Sequence, residues 1–207
     1  VAAAVLRLAE EGRLSLDDPL SEHLPPAQCR LLLADGYDLE AMTLRQVLAH
    51  TSGLFEHPAD PRYAEAVMAD PHHRWTRLEQ ITKCTEWGDA VGRPGEKFSY
   101  SDTGYIILGG IIEKTTGQNL GSAVRDLLDF DRLGLNATWW EILEDKPVGA
   151  GPRAHQYYGD DFRVEAPTGS GRTASLLEIA EQGGHVGQSL GEGLHARRAA
   201  TTASPIA

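Results

Sequence analysis

The 207 residues are 41% hydrophobic and 24% charged, a balance that can bury the core of one domain or two small ones. Nineteen Lys and Arg against thirty Asp and Glu leave a formal charge of −11, which repels polyanions and sets aside nucleic acid and anionic membrane surfaces as partners. No apolar run approaches the roughly 18 residues of a membrane span, and Cys29 and Cys84, far apart and without metal-ligand spacing, read as two separate buried thiols.

Residues 1–11 read as a helix with Val1, Ala4, Val5 and Leu8 on one face and Gly12 placed to close it in the left-handed conformation. The chain opens straight into this pattern, with no Met, basic n-region or cleavage-site flank, so a start further upstream is expected. Residues 14–26 carry Asp17, Asp18, Pro19, Pro25 and Pro26 among spaced leucines, which suits turns and short elements. Thr43 with Gln46 three residues on is a capping box opening a helix over 43–50, with Leu44, Val47 and Leu48 at helical spacing. Residues 56–73 read as a loop with a short helix around 62–69, residues 75–86 as another helix, and Pro94-Gly95 as a turn.

The strongest element spans residues 103–116. Ile106, Ile107, Leu108, Ile111 and Ile112 make a broad apolar face, while Gly104, Gly109 and Gly110 leave room for another backbone to come close. Gly117 ends it, and Asn119 or Ser122 caps a following helix whose apolar set is Leu120, Val124, Leu127 and Leu128. Strand signals are few before residue 150. Residues 163–207 contain no Phe, Tyr or Trp and only four Lys or Arg and four Asp or Glu, so a divergent, partly disordered tail is expected after a folded part at 1–162.

The chemistry-bearing segment is Tyr100-Ser101-Asp102, in the turn ahead of the buried helix, where backbone N–H groups and the helix dipole favour negative charge. A tyrosine with a pKa of about 10 is a poor base at neutral pH and needs help before it accepts a proton from a serine. Taken alone, the segment also reads as a packed aromatic followed by a capping Asp102.

Three segments in order change that balance. The run from Ala3 through Leu14-Ser15-Leu16-Asp17-Asp18-Pro19, the stretch Thr43-Leu44-Arg45-Gln46-Val47-Leu48-Ala49-His50-Thr51-Ser52-Gly53-Leu54, and Pro94-Gly95-Glu96 through Gly117-Gln118 resemble successive signatures of the class C β-lactamase and D-alanyl-D-alanine carboxypeptidase superfamily. The resemblance covers about residues 1–160. It implies an α+β fold that pairs a helical domain with an antiparallel sheet, with this chain holding mainly the helical part and most of the sheet missing or divergent. It also implies a serine hydrolase that cleaves a β-lactam, a D-amino-acid peptide or a small ester through an acyl-enzyme, without metal or organic cofactor. The partner is then a small-molecule or peptide substrate; oligomeric state and compartment, whether periplasmic, secreted or cytoplasmic, stay open.

By this resemblance Tyr100 matches the catalytic tyrosine, and Asp102 stands where the family usually has asparagine. An amide both donates and accepts, whereas a carboxylate only accepts and brings negative charge to a site that must hold an oxyanion. Ser101 falls beside the substrate, and His185-Val186-Gly187 is the candidate for the family's sheet-strand motif, with His185 and Gly187 as substrate-binding residues. The residues three before Lys83, Lys97, Lys114 and Lys146 are Gln80, Pro94, Ile111 and Leu143, so the chain holds no Ser-x-x-Lys. The resemblance puts that motif just before Val1 and leads to the expectation of an inactive piece of a longer enzyme. The alternative is a non-catalytic pseudoenzyme or binding fragment.

Two other motifs carry less. Gly187-Gln188-Ser189-Leu190-Gly191 fits the G-x-S-x-G nucleophile elbow, but no strand pattern precedes it, and a chance match is the simpler account. His50, His57 and the pair His72-His73 lack the H-E-x-x-H spacing of a zinc site and read as surface or capping residues, and Trp139-Trp140 reads as packing.

Overall fold

The computed structural model describes residues 1–140 and 143–149. Among these, eight α-helices follow in chain order: α1 (Ala2–Glu10), α2 (Leu20–His23), α3 (Pro26–Ala34), α4 (Leu44–Leu48), α5 (Pro61–Ala69), α6 (Arg77–Trp87), α7 (Asp102–Thr116) and α8 (Leu120–Leu127), with a 3-10 turn at His57–Ala59 ahead of α5. The described residues form no strand, only one antiparallel bridge between Pro19 and Thr43. The expected change of character at residue 163, together with His185, Gly187 and Ser189, lies outside the described residues.

α7 is the axis of the assembly. Ile107, Leu108, Ile111 and Ile112 are almost fully buried, and the helix packs against α1, α4, α6 and α8. Each such side chain removed from water contributes on the order of 2 kcal/mol. α1 lays Ala4, Val5 and Leu8 into the same core and turns Arg7 outward to Glu10 and Glu11 at 3.3 and 3.0 Å. α8 brings Leu120, Ala123 and Val124, with Asn119 as its cap; Leu127 and Leu128, also expected on its apolar face, are only partly buried.

Local chemistry sets the helix starts. Thr43 Oγ1 accepts from the Gln46 N–H at 3.3 Å, and Gln46 Oε1 accepts from the Thr43 N–H at 2.9 Å, the reciprocal bonds of a capping box. Thr76 and Glu79 repeat the device at α6. α3 begins with Pro26, whose fixed φ suits a first turn; Leu32 alone of its nine residues is fully buried, so its sequence carries little helical periodicity. The glycines of α7 admit close neighbours: a Cβ at Gly104 would lie 3.0 Å from Val47 Cγ1 and 3.8 Å from the Val47 carbonyl oxygen, and one at Gly110 would lie 3.3 Å from Arg77 Cδ. Arg77 lies along this surface, donating to the Ile106 carbonyl at 3.2 Å and pairing with Glu113.

Two irregular segments cross in front of the α7 N-terminus, and backbone bonds clamp them together. Val91 N–H donates to Gly53 O at 2.9 Å, Gly95 N–H to Thr51 O at 2.7 Å and Ser99 N–H to His50 O at 2.8 Å. The approach is closest at Gly53, whose φ is +84° and where a Cβ would lie 2.2 Å from the Gly92 carbonyl oxygen. A side chain there meets both a left-handed backbone and an immovable carbonyl. Gly53→Ala should therefore lower stability by roughly 2–5 kcal/mol, read as a fall in the midpoint of urea unfolding; an unchanged midpoint would mean the two segments are not clamped.

Candidate active site

The first turn of a helix leaves N–H groups without intrahelical acceptors, and in α7 this turn is buried, with Ser101, Asp102 and Thr103 each 3% exposed or less. Acceptors must come from elsewhere in the chain. Ser101 is the N-cap: its Oγ accepts from the Gly104 N–H at 3.4 Å and donates to the Phe55 carbonyl at 3.3 Å. The Asp102 N–H donates to a carboxyl oxygen of Glu56. Thr103 Oγ1 donates to Phe55 O at 2.9 Å and meets His57 Nδ1 at 2.8 Å. Since the threonine proton goes to Phe55, the bond from His57 is donated by Nδ1–H, and Nε2, buried without a partner, carries the lone pair.

Tyr100 precedes this turn and is 41% exposed. Its hydroxyl donates to Asp102 Oδ1 at 2.8 Å. The ring of His50 stacks between Tyr100, at 4.5 Å between centroids, and Tyr105, at 4.8 Å. Nδ1 of His50 accepts from the Ser101 N–H at 3.2 Å, so this ring keeps its proton on Nε2 when neutral. His50 holds a positive φ of 55°, unusual outside glycine, and that conformation turns its ring onto the tyrosines.

Electrostatics sharpen the picture. Burial pushes the Glu56 carboxyl up to about 8, and the negative charge of Asp102 adds to the rise. Asp102 is also raised by burial, while hydrogen bonds from Tyr100 and Glu56 and the nearby His50 work in the opposite direction. The two carboxyls therefore hold one proton between them at neutral pH, chiefly on Glu56, leaving Asp102 as the charged acceptor for Tyr100. Burial lowers His50, partly opposed by Asp102, and lowers His57 to about 4.

The Beta-lactamase family model matches residues 1–201. The chain belongs to the Beta-lactamase family. Among relatives, Protein flp of Staphylococcus aureus is 35% identical over 123 residues, which is 59% of this chain and 22% of that protein. Penicillin-binding protein 4 of Amycolatopsis lactamdurans is 32% identical over 136 residues, 65% of this chain and 32% of its own length. Among solved structures, the D-stereospecific amidohydrolase from Streptomyces sp. aligns with a TM-score of 0.59 at 30% identity, covering 66% of this chain and 40% of that one. The D-amino acid amidase from Ochrobactrum anthropi SV3, complexed with D-phenylalanine, aligns with a TM-score of 0.58 at 25% identity over 76% and 39% of the two chains. The chain thus spans less than half the length of these relatives and structural neighbours.

Of the residues singled out in the sequence, Tyr100 and Asp102 come together and Ser101 turns inward. At 1% exposure Ser101 serves as the cap, a role expected as one option for Asp102. Of the surface or capping roles expected for His50 and His57, both take the second, bonding Ser101 N–H and Thr103 Oγ1 in the first turn of α7, and Glu56 joins them unannounced. Their contacts to residues 101–103 span 46 to 51 positions, a separation at which spacing carries no signal; the only hint was the membership of His50 in a recognisable segment. Cys84 is buried and Cys29 half-buried, both free thiols. Among the described residues, Asp18, Glu22 and His23 bring ligand atoms within 4.8 Å of one another. Asp18 already accepts from Ser15 N–H at 2.8 Å and bonds His23 at 3.0 Å, and Lys114 donates to the carbonyls of Glu22 and His23, an arrangement that a divalent cation would have to break.

His57 makes stability depend on pH with a definite sign. Burial holds it at about 4, below the ordinary 6.5 of the imidazole, so the unfolded chain takes up the proton first as pH falls. The stability it contributes is complete above about 6.5 and is lost progressively down to about 4, on the order of 3 kcal/mol in all. Thermal unfolding from pH 7 to 4.5 should show a steeper fall in Tm for the unaltered chain than for His57→Gln; parallel curves would refute the buried neutral imidazole.

Proposed function

We infer that this chain supplies the tyrosine side of the active site of a serine hydrolase acting on amides, in a polypeptide that also carries a Ser-x-x-Lys. The observation that carries the reading is a half-exposed Tyr100 whose hydroxyl rests at 2.8 Å on a buried carboxylate at the N-terminus of a buried helix, in a chain of the Beta-lactamase family. In this reading Tyr100 takes the proton of the attacking serine and returns it to the leaving nitrogen, splitting amide cleavage into acylation and hydrolysis of the acyl-enzyme. His50 holds the phenol ring by stacking, and Asp102 fixes the direction of its O–H. The helices form the helical part of a two-part α+β fold. Likeness to an amidohydrolase and an amidase named for D-stereospecific and D-amino-acid substrates supports amides of D-amino acids or short peptides as the substrate class, with β-lactams and small esters as neighbouring chemistries.

The absence of Ser-x-x-Lys from the 207 residues favours a second reading, a non-catalytic binding domain. The two are separated by intact-mass analysis after incubation with a fluorophosphonate and with a penicillin, on this chain and on the longer polypeptide from its natural start. The expected result is one covalent adduct on the longer chain, at the serine of Ser-x-x-Lys, with labelling slowed roughly 100-fold or more by Tyr100→Phe. No adduct on either would support the binding domain, and an adduct at Ser189 would replace the proposed mechanism with a nucleophile elbow.

A further inference from the structure

The Phe55 peptide is held at both ends. Its N–H donates to Tyr37 Oη at 3.2 Å. Its carbonyl accepts from Thr103 Oγ1 at 2.9 Å, from Ser101 Oγ at 3.3 Å and from Cys84 Sγ at 3.5 Å, and the Thr103 hydroxyl also lies against the thiol. Tyr37 Oη and Cys84 Sγ meet at 3.6 Å. This contact closes a ring of three groups, drawn from the connection between α3 and α4, from the segment after α4 and from α6. Tyr37 and Cys84 are both buried, so the ring is shielded from bulk water.

The direction of the ring follows from its one fixed member. A backbone N–H only donates, so Tyr37 Oη accepts from Phe55. The phenolic proton then goes to Cys84 Sγ, the other partner of that hydroxyl among the described residues. The thiol proton is left for the Phe55 carbonyl. Burial raises both the phenol and the thiol, so each keeps the proton that the ring requires. Separations of 3.5 and 3.6 Å suit sulfur, whereas bonds between oxygens run to only about 3.0 Å.

We propose that Cys84 is a positioning residue for the Tyr100 site and acts together with Tyr37 through the Phe55 peptide. The inference rests on the acyl-transfer reading above. Phe55 O holds Ser101 and Thr103, on either side of Asp102, and the next residue, Glu56, takes the Asp102 N–H. Asp102 in turn receives the Tyr100 hydroxyl at 2.8 Å. A tilt of the Phe55 peptide therefore moves the turn that carries Asp102, and with it the direction of the phenol. Removing the thiol leaves the buried Tyr37 O–H without its acceptor, and removing the Tyr37 hydroxyl leaves the Phe55 N–H without one; either loss drives the peptide to reorient. Cys84, expected from the sequence to be a packed thiol, has a polar task.

The test uses the longer polypeptide with Cys84→Ala, Tyr37→Phe, the two combined, and Cys84→Ser, with Tm showing that each variant is folded. Infrared absorption of the S–H stretch reads the ring without reference to activity, the band of Cys84 being the one that Cys84→Ser removes. Tyr37→Phe takes away the donor to the sulfur and shifts that band; an unmoved band overturns the ring. With a D-amino-acid p-nitroanilide as substrate, Cys84→Ala and Tyr37→Phe each lower kcat roughly 10-fold and leave KM within about twofold. The combined variant is no slower than the worse single one, because either change breaks the same ring. Cys84→Ser keeps a donor and an acceptor in place and recovers part of the kcat lost in Cys84→Ala. Unchanged kcat in the folded single variants, or losses that multiply in the combined one, overturn the positioning role. If no serine labels in the longer chain, the acyl-transfer reading fails and takes that role with it; if the serine labels and kcat is unchanged, the positioning role alone fails.

Discussion

The structure depends on one constraint: the first turn of α7 is buried, and its polar groups must be satisfied by a segment far away in sequence. Residues 50–57 provide the long-range partners. Phe55 offers a carbonyl to Ser101 and Thr103, Glu56 takes the Asp102 N–H, His57 bonds Thr103, and His50 takes the Ser101 N–H. An unsatisfied buried donor costs about 1–3 kcal/mol, so the crossing of these segments is fixed together with the helix itself. Gly53 and the backbone bonds to Val91, Gly95 and Ser99 tighten the same crossing from the other side.

Function draws on the consequences of that packing. Placing two carboxyls at one helix N-terminus leaves only one charge between them, and the remaining carboxylate orients Tyr100. Stacking His50 between Tyr100 and Tyr105 then holds the phenol ring in a residue that stays 41% exposed. The supports of the site are structural: the residues that tune Tyr100 are those that allow α7 to begin where it does.

Much of the frame was legible in the sequence. The apolar period of α1, the capping box of α4 and the isoleucine-rich run of α7 each announce their helices, because capping and amphipathicity are local. α3 was not, since its residues bury little and its start depends on Pro26 alone. Tyr100 and Asp102 were legible through the motif they share. Glu56, His50 and His57 were not, because their partners lie about fifty residues away; a half-polar loop of His, Pro and Asp looks the same whether it faces water or caps a buried helix. The glycines of α7 were read as openings for a backbone; Gly104 does receive the Val47 carbonyl beside its side chain, while Gly109 and Gly110 receive the side chains of Leu120 and Arg77.

Neutron diffraction from deuterated crystals at neutral pH tests the central claim most directly, because it places the protons on which the electrostatic account depends. The account predicts a single deuteron on the Glu56–Asp102 pair, carried by Glu56, and a Tyr100 deuteroxyl pointing at Asp102 Oδ1. Two bare carboxylates, or a Tyr100 deuteroxyl directed away from Asp102, would contradict it.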